Sequence, residues 1–315
     1  MNIQKIPVIE HADFSINNFQ VKQFIGALKE FGHIHIINIT DPAFCAGAVH
    51  LKRVAQQLFG LSHENKMSLY IGDSIGHRGY VPITEKGQYA DENKRVYEAF
   101  DIGFTGESNW ILSGENRYPE QIPDAAKVIN RYFDFSLALG RSITSHLLSH
   151  YDHHGIRAID ATRSPASQLR LIHYLSHEPE ETQLASSMGA HTDYELFTLM
   201  LQDSPGLFYK KNGDWQAVPA MRNSLLLIAG DVLEILSGGE IQSLNHRVVA
   251  NGDERYSFPF VMNLNPDTQL KRVGAPDFNI GRHLISQLTR DFPYLRHKVD
   301  ATYNPDFEAN KNEAV

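Results

Sequence analysis

The spacing of apolar residues changes part-way along the chain. In the first half it is helical. Phe19, Phe24, Ile25 and Leu28 predict a helix over 17–30, capped by Ser15 and ended by Gly32. Asp41 and Pro42 supply a cap and a first-turn proline for a second helix running to about Phe59. Ser62 opens a short third helix through Leu69, and the longest helix is expected over about 124–149. Strands are expected at 6–9, 33–39 and 96–104, and a glycine-rich loop at 71–95. From residue 168 the runs become short and β-rich: 168–174, 196–201, 206–209, 215–218, 225–228, 241–249 and 256–262. Turn sequences such as Asp203-Ser204-Pro205-Gly206 and Asn212-Gly213-Asp214 separate them, which predicts a sandwich or barrel. One helical turn is expected at 231–236 and a last helix near 281–289.

The expectation is therefore a mainly β protein with flanking helices. A helix-rich region, 1–160, packs on a β-rich core, 161–290, followed by a polar tail, 291–315, frayed beyond Tyr303. All of it forms one domain over 1–315, with one shared core. The 42% hydrophobic and 21% charged content suits such a core. A formal net charge of -8 argues against a nucleic-acid partner. The single cysteine, Cys45, allows no intrachain disulfide and points to a reducing compartment. No segment is apolar over the length of a membrane span, and the start carries no apolar leader. A soluble, cytoplasmic monomer acting on a small molecule is expected.

Sixteen histidines make any one of them weak evidence for a metal. His-x-Asp occurs three times, at His11, His150 and His191. His11 is expected to be a solvated side chain. His150, His153 and His154 suit a helix C-terminus. His33 and His35 share a strand face and are expected to pack. His191 and Asp193 lie at the expected entry to a strand, where i and i+2 point the same way. His246 lies in a β-branched run that intervening hairpins can bring alongside. Two imidazoles and one carboxylate on one face of a metal suit a non-haem Fe(II) centre. Arg255 and Ser257 follow at i and i+2, a planar fork and a hydroxyl that suit a carboxylate.

These residues carry a resemblance. Arg170-Leu171-Ile172-His173-Tyr174, Gly189-Ala190-His191-Thr192-Asp193-Tyr194, Gly230-Asp231-Val232, His246-Arg247-Val248 and Arg255-Tyr256-Ser257-Phe258 resemble the isopenicillin N synthase-like family of Fe(II)- and 2-oxoglutarate-dependent dioxygenases. The resemblance implies a double-stranded β-helix, or jelly roll. It implies that His191, Asp193 and His246 hold Fe(II), and that Arg255, Ser257 and Tyr174 hold 2-oxoglutarate. O2 would be the oxidant, with succinate and CO2 formed alongside a hydroxylated, desaturated or cyclised product. An oxidase of the same fold using no 2-oxoglutarate, or a non-catalytic binding module, are the alternatives. The chain departs from the family pattern at Ile172, where asparagine is common, and at Glu195, where glycine is common.

Arg170 alternates with Ile172 and Tyr174 on one strand, so it is expected to face the metal as a structural ion pair or a substrate anchor. With Tyr194, and Glu85 on the 71–95 loop as a lid, it points to a small polar substrate such as an amino acid or derivative.

Overall fold

The computed structural model of the protein describes residues 6–11, 21–83, 97–151, 156–176, 186–249, 252–272 and 274–299. Helix α1 (Val21–Phe31) ends where Gly32 turns to φ 69° and returns an N–H to Leu28 O at 2.8 Å. The expected cap, Ser15, lies outside the described residues. Helix α2 (Pro42–Phe59) starts as expected, with Asp41 Oδ1 accepting from Phe44 N at 3.3 Å. Helix α3 (His63–Met67) is capped by Ser62, whose hydroxyl accepts from Asn65 N. Helix α4 (Ala125–Tyr151) buries Ile129, Tyr132, Phe133, Leu137, Ile143 and Leu147 at helical spacing. Short helices α5 (Ala158–Ala161), α6 (Asp231–Leu236) and the longer α7 (Ile280–Asp291) complete the set among the described residues.

Two sheets face each other. The larger runs β1 (Val8–Glu10), β2 (His33–Ile37), β10 (Leu225–Ala229), β7 (Phe197–Gln202), β12 (Arg255–Met262), β5 (Gln168–Tyr174), β4 (Tyr97–Gly103) and β3 (Gly79–Val81). The smaller runs β6 (Ser186–His191), β11 (His246–Val249), β8 (Leu207–Lys211) and β9 (Asp214–Ala217). This is the jelly-roll arrangement. Four strands of the larger sheet come from before residue 161, so the β core draws on both halves of the chain.

The period of two along the strands divides the interior. On β12, Phe258, Phe260 and Met262 join Phe197, Leu199, Leu225 and Leu227 against the helices, in a core that also holds Phe24, Leu51 and Tyr132. The alternate residues of these strands, among them Leu226 and Ile228, face the smaller sheet and pack with Met188, Leu207 and Val248. The larger sheet is thus buried on both faces. His33 and His35 lie in it at 3% and 1% exposure, which bears out a packing role. His11 is half-buried, its ring tilted against Phe135 at 6.1 Å, and is not the fully solvated group expected.

Three expectations about irregular segments are corrected. Within 71–83, a 3-10 turn (Ile71–Asp73) and β3 are ordered because Tyr80 and Val81 pair with β4 and bury; Glu85 and the rest of the predicted lid lie outside the described residues. Only the end of the 241–249 run is strand. Ser243 N and Oγ bond to Glu234 Oε2, and Ile241 N bonds to Ser237 Oγ, so α6 takes these groups from the ladder. The tail begins as a packed 3-10 turn (Pro293–His297), with Phe292, Leu295 and Val299 buried against Leu112 and Ile285. Residues 300–315, with His153, His154 and the 251–253 turn's first residue, lie outside the description.

Candidate active site between the two sheets

His246 is the first residue of β11 and stands directly opposite His191, the last residue of β6. His191 was expected at a strand's entry; it is at the exit, and Asp193 lies in the turn beyond. That turn is fixed by α6, whose first N–H, from Asp231, donates to Asp193 O at 2.8 Å. Both imidazoles are held by their inner nitrogens. His191 Nδ1 is 2.8 Å from Gly189 O, and His246 Nδ1 is 2.9 Å from Leu244 O. Each bond turns the Nε2 atom toward Asp193 Oδ1, at 3.7 Å in both cases. The other carboxylate oxygen accepts from the buried Thr198 hydroxyl.

The three ligand atoms lie within 4.8 Å of one another. Burial, with the neighbouring His246, pushes the His191 imidazole down to about 4 against the pull of Asp193, so it is neutral and its Nε2 lone pair is available. Donors about 2 Å from a shared ion sit at most about 4 Å apart, so the 3.7 Å separations fit one ion. Each imidazole carries the backbone-carbonyl partner that orients metal-ligating histidines.

Beside this cluster the two sheets enclose a cavity of about 110 Å³. Ile172, Tyr174 and Arg170 of β5 and Ser257 of β12 are on its wall, as their alternation predicts. Arg255 is buried one step along the strand from Ser257. Its guanidinium lies 4.0 Å above the Tyr174 ring, and Nη1 donates to Pro205 O at 2.8 Å. Among the described residues, Arg255 Nε and Ser257 Oγ are buried with no hydrogen-bond partner. Two orphaned donors on one strand face match what a carboxylate ligand would satisfy.

Arg170 is paired: Nε and Nη2 bond to Asp101 at 2.8 and 2.7 Å, across the β4–β5 register. It remains on the cavity wall. Tyr194 is there too, its hydroxyl donating to Asp291 at 3.1 Å. Sequence reasoning missed a further part of the wall: Leu288 of α7, Phe292 just past its end, and His77, whose ring bonds Tyr294 at 2.8 Å. It noted Glu195 only as a departure from a family pattern; the side chain lines the cavity, and burial and then Asp193 push its carboxyl up to about 8.

The profile described as "2OG-Fe(II) oxygenase superfamily" matches residues 165–264, the stretch that carries β5 to β12 and every residue of the cluster. Residues 165–264 thus carry a 2OG-Fe(II) oxygenase core. The oxygenase is 28% identical over 263 residues to the Arabidopsis thaliana homoarginine-6-hydroxylase 2-ODD-C23.2, covering 79% of this chain and 72% of that protein. It is 29% identical over 300 residues to a 2-oxoglutarate-dependent dioxygenase of Didymella fabae, covering 88% and 87%. In fold it is similar to a full-length Neurospora crassa protein crystallised in complex with alpha-KG, with a TM-score of 0.74 over 90% of this chain and 96% of that one, at 23% identity. The cofactors of this enzyme are therefore Fe(II) and 2-oxoglutarate, with O2 as oxidant. No helix among the described residues is long and apolar enough to cross a membrane.

Proposed function

We propose that His191, Asp193 and His246 hold the Fe(II), that Arg255, Ser257 and Tyr174 hold 2-oxoglutarate, and that the enzyme oxidises a small polar metabolite, an amino acid or derivative. Hydroxylation is the simplest outcome. The observation that carries the reading is the coincidence of a three-ligand cluster with two orphaned buried donors on one strand, Ser257 on the cavity wall and Arg255 behind it. When bound, the iron and 2-oxoglutarate together supply an oxidant strong enough to attack a C–H bond, with succinate and CO2 as by-products. The chain's part is positional. Thr198 fixes one Asp193 oxygen and leaves the other for the metal. The Tyr174 ring and Pro205 O fix the Arg255 fork, so it meets a carboxylate without reorganisation. Met188, Ile228 and Val248 give the cavity an apolar lining that excludes water.

The limited cavity volume favours a small substrate over a large ring system. Arg170, made rigid by Asp101, supports a carboxylate-bearing one, with Tyr194 beside it. Relatives named as homoarginine-6-hydroxylases, at 27% and 28% identity, support the amino-acid class. The core shared by α2, α4 and the larger sheet supports reading the chain as one dioxygenase unit.

The test is Asp193→Ala, scored by bound iron and by succinate formed per 2-oxoglutarate consumed. Loss of both is expected. Near-normal succinate with iron still bound would overturn the ligand assignment.

A further inference from the structure

The charged groups around the cavity are matched with one exception. Arg170 is held by Asp101 in a two-bond pair. Asp291 is held by Arg290 at 2.9 Å and by the Tyr194 hydroxyl. Asp193 faces the two imidazoles and Thr198. Glu195, the other carboxylate on the wall, makes no ion pair and takes no side-chain donor among the described residues, and feels Arg170 only through space, against Asp193 and Asp231. Its mount is rigid. Glu195 O accepts from Val232 N at 3.1 Å, and Gly230 lies so close that an added Cβ would stand 2.2 Å from that oxygen. The side chain therefore projects from a fixed backbone, two residues past Asp193.

We propose that Glu195 is the specificity-determining residue of the pocket and binds the cationic end, ammonium or guanidinium, of the substrate. This rests on the reading of the cavity as the oxygenase's substrate site. A substrate that fills the cavity displaces the water around this carboxylate. A neutral ligand group gives this carboxyl neither a charged donor nor an opposite charge, whereas a cation offers both N–H donors and an opposite charge. Arg170 and Glu195 then form a two-signed wall. The arginine suits a substrate carboxylate and the glutamate suits the cation, so the pocket selects for a zwitterion carrying an additional positive charge, such as a basic amino acid.

The experiment is calorimetry, without oxygen, on the Fe(II)- and 2-oxoglutarate-loaded enzyme. The ligands are two isosteric pairs: L-arginine with L-citrulline, and L-homoarginine with L-homocitrulline. The expected result is that a cationic member binds at least tenfold more tightly than its urea counterpart. Glu195→Gln should weaken that cation roughly 30- to 1,000-fold and erase the preference, as truncation of one partner of a buried charge pair does. Its 2-oxoglutarate affinity should be unchanged, and Glu195→Asp should fall between. If Glu195→Gln does not fold, the Glu195→Asp shift carries the test, and an unshifted preference there overturns the proposal. A preference that persists in Glu195→Gln, or no binding by any of the four, also overturns it while leaving the oxygenase reading intact. Failure to load iron or 2-oxoglutarate at all brings down the underlying reading and this one with it.

Discussion

Replacing Gly206 with alanine should cripple co-substrate binding without touching a residue that meets the co-substrate. Gly206 has φ 145°, and a Cβ built on it would stand 2.0 Å from Arg255 Nη1 and 2.7 Å from Cζ. The guanidinium cannot retreat, because the Tyr174 ring is 4.0 Å away on its other side. Either the 205–206 turn or the arginine must move, and Nη1 loses Pro205 O in both cases. The backbone strain costs about 1–3 kcal/mol of stability. Displacing the fork removes charge-assisted hydrogen bonds worth about 1.5–3 kcal/mol, or roughly 10- to 150-fold in 2-oxoglutarate affinity. The assay is the 2-oxoglutarate KM with calorimetric Kd, alongside a thermal midpoint. Gly213→Ala is the control. Its φ is 92°, yet an added Cβ meets nothing within 4 Å, so it carries strain alone and should leave the co-substrate Kd unchanged. Equal, wild-type KM values for both variants would refute the placement of Arg255.

Thr198→Val keeps the shape of a buried side chain but removes the donor to Asp193; Fe(II) affinity by metal titration should drop about 10- to 100-fold, and an unchanged Kd would show the hydroxyl to be idle. His77 sets a pH limit: burial, then the charges of Arg170, Lys298 and Arg78, push it down to about 3, whereas the unfolded chain titrates near 6.5. The folded state therefore forgoes a proton that the unfolded state takes up, and stability present above pH 6.5 is lost as pH falls toward 3. Between about pH 6.5 and 5 the loss from this residue is roughly 1.5 kcal/mol, and urea titrations of His77→Gln should show that much less acid sensitivity than the parent protein.

Much of this site was legible because strands impose a period of two. Arg170, Ile172 and Tyr174 share a wall for that reason, and Ser257 joins them from the neighbouring strand. Helix starts at Asp41-Pro42 and Ser62 were readable because capping chemistry is local. The mount of Asp193 was misread, because the end of β6 is set by a distant helix whose N–H takes the turn's carbonyl. The pairing of Arg170 with Asp101 depends on a register 69 residues apart, which no local pattern encodes. The packed tail was missed because Phe292, Leu295 and Val299 are too sparse to signal an element until Leu112 and Ile285 are placed against them.

The cavity has two kinds of wall. The cluster side is built from strands locked into ladders, where a shift of one residue would turn both histidines outward. The facing side, Leu288 and Phe292, belongs to a helix and turn outside both ladders, which meet the barrel through side chains: an apolar cluster, the Tyr194–Asp291 bond and the Arg170 guanidinium over the Phe292 ring. Reactivity and selectivity thus rest on different elements of the fold. Substitutions on the helix can reshape the space offered to a substrate while the strands keep their register. This helix and turn are accordingly the place to begin when retargeting the enzyme, and a fusion partner joined next to them is the one most apt to alter what it accepts.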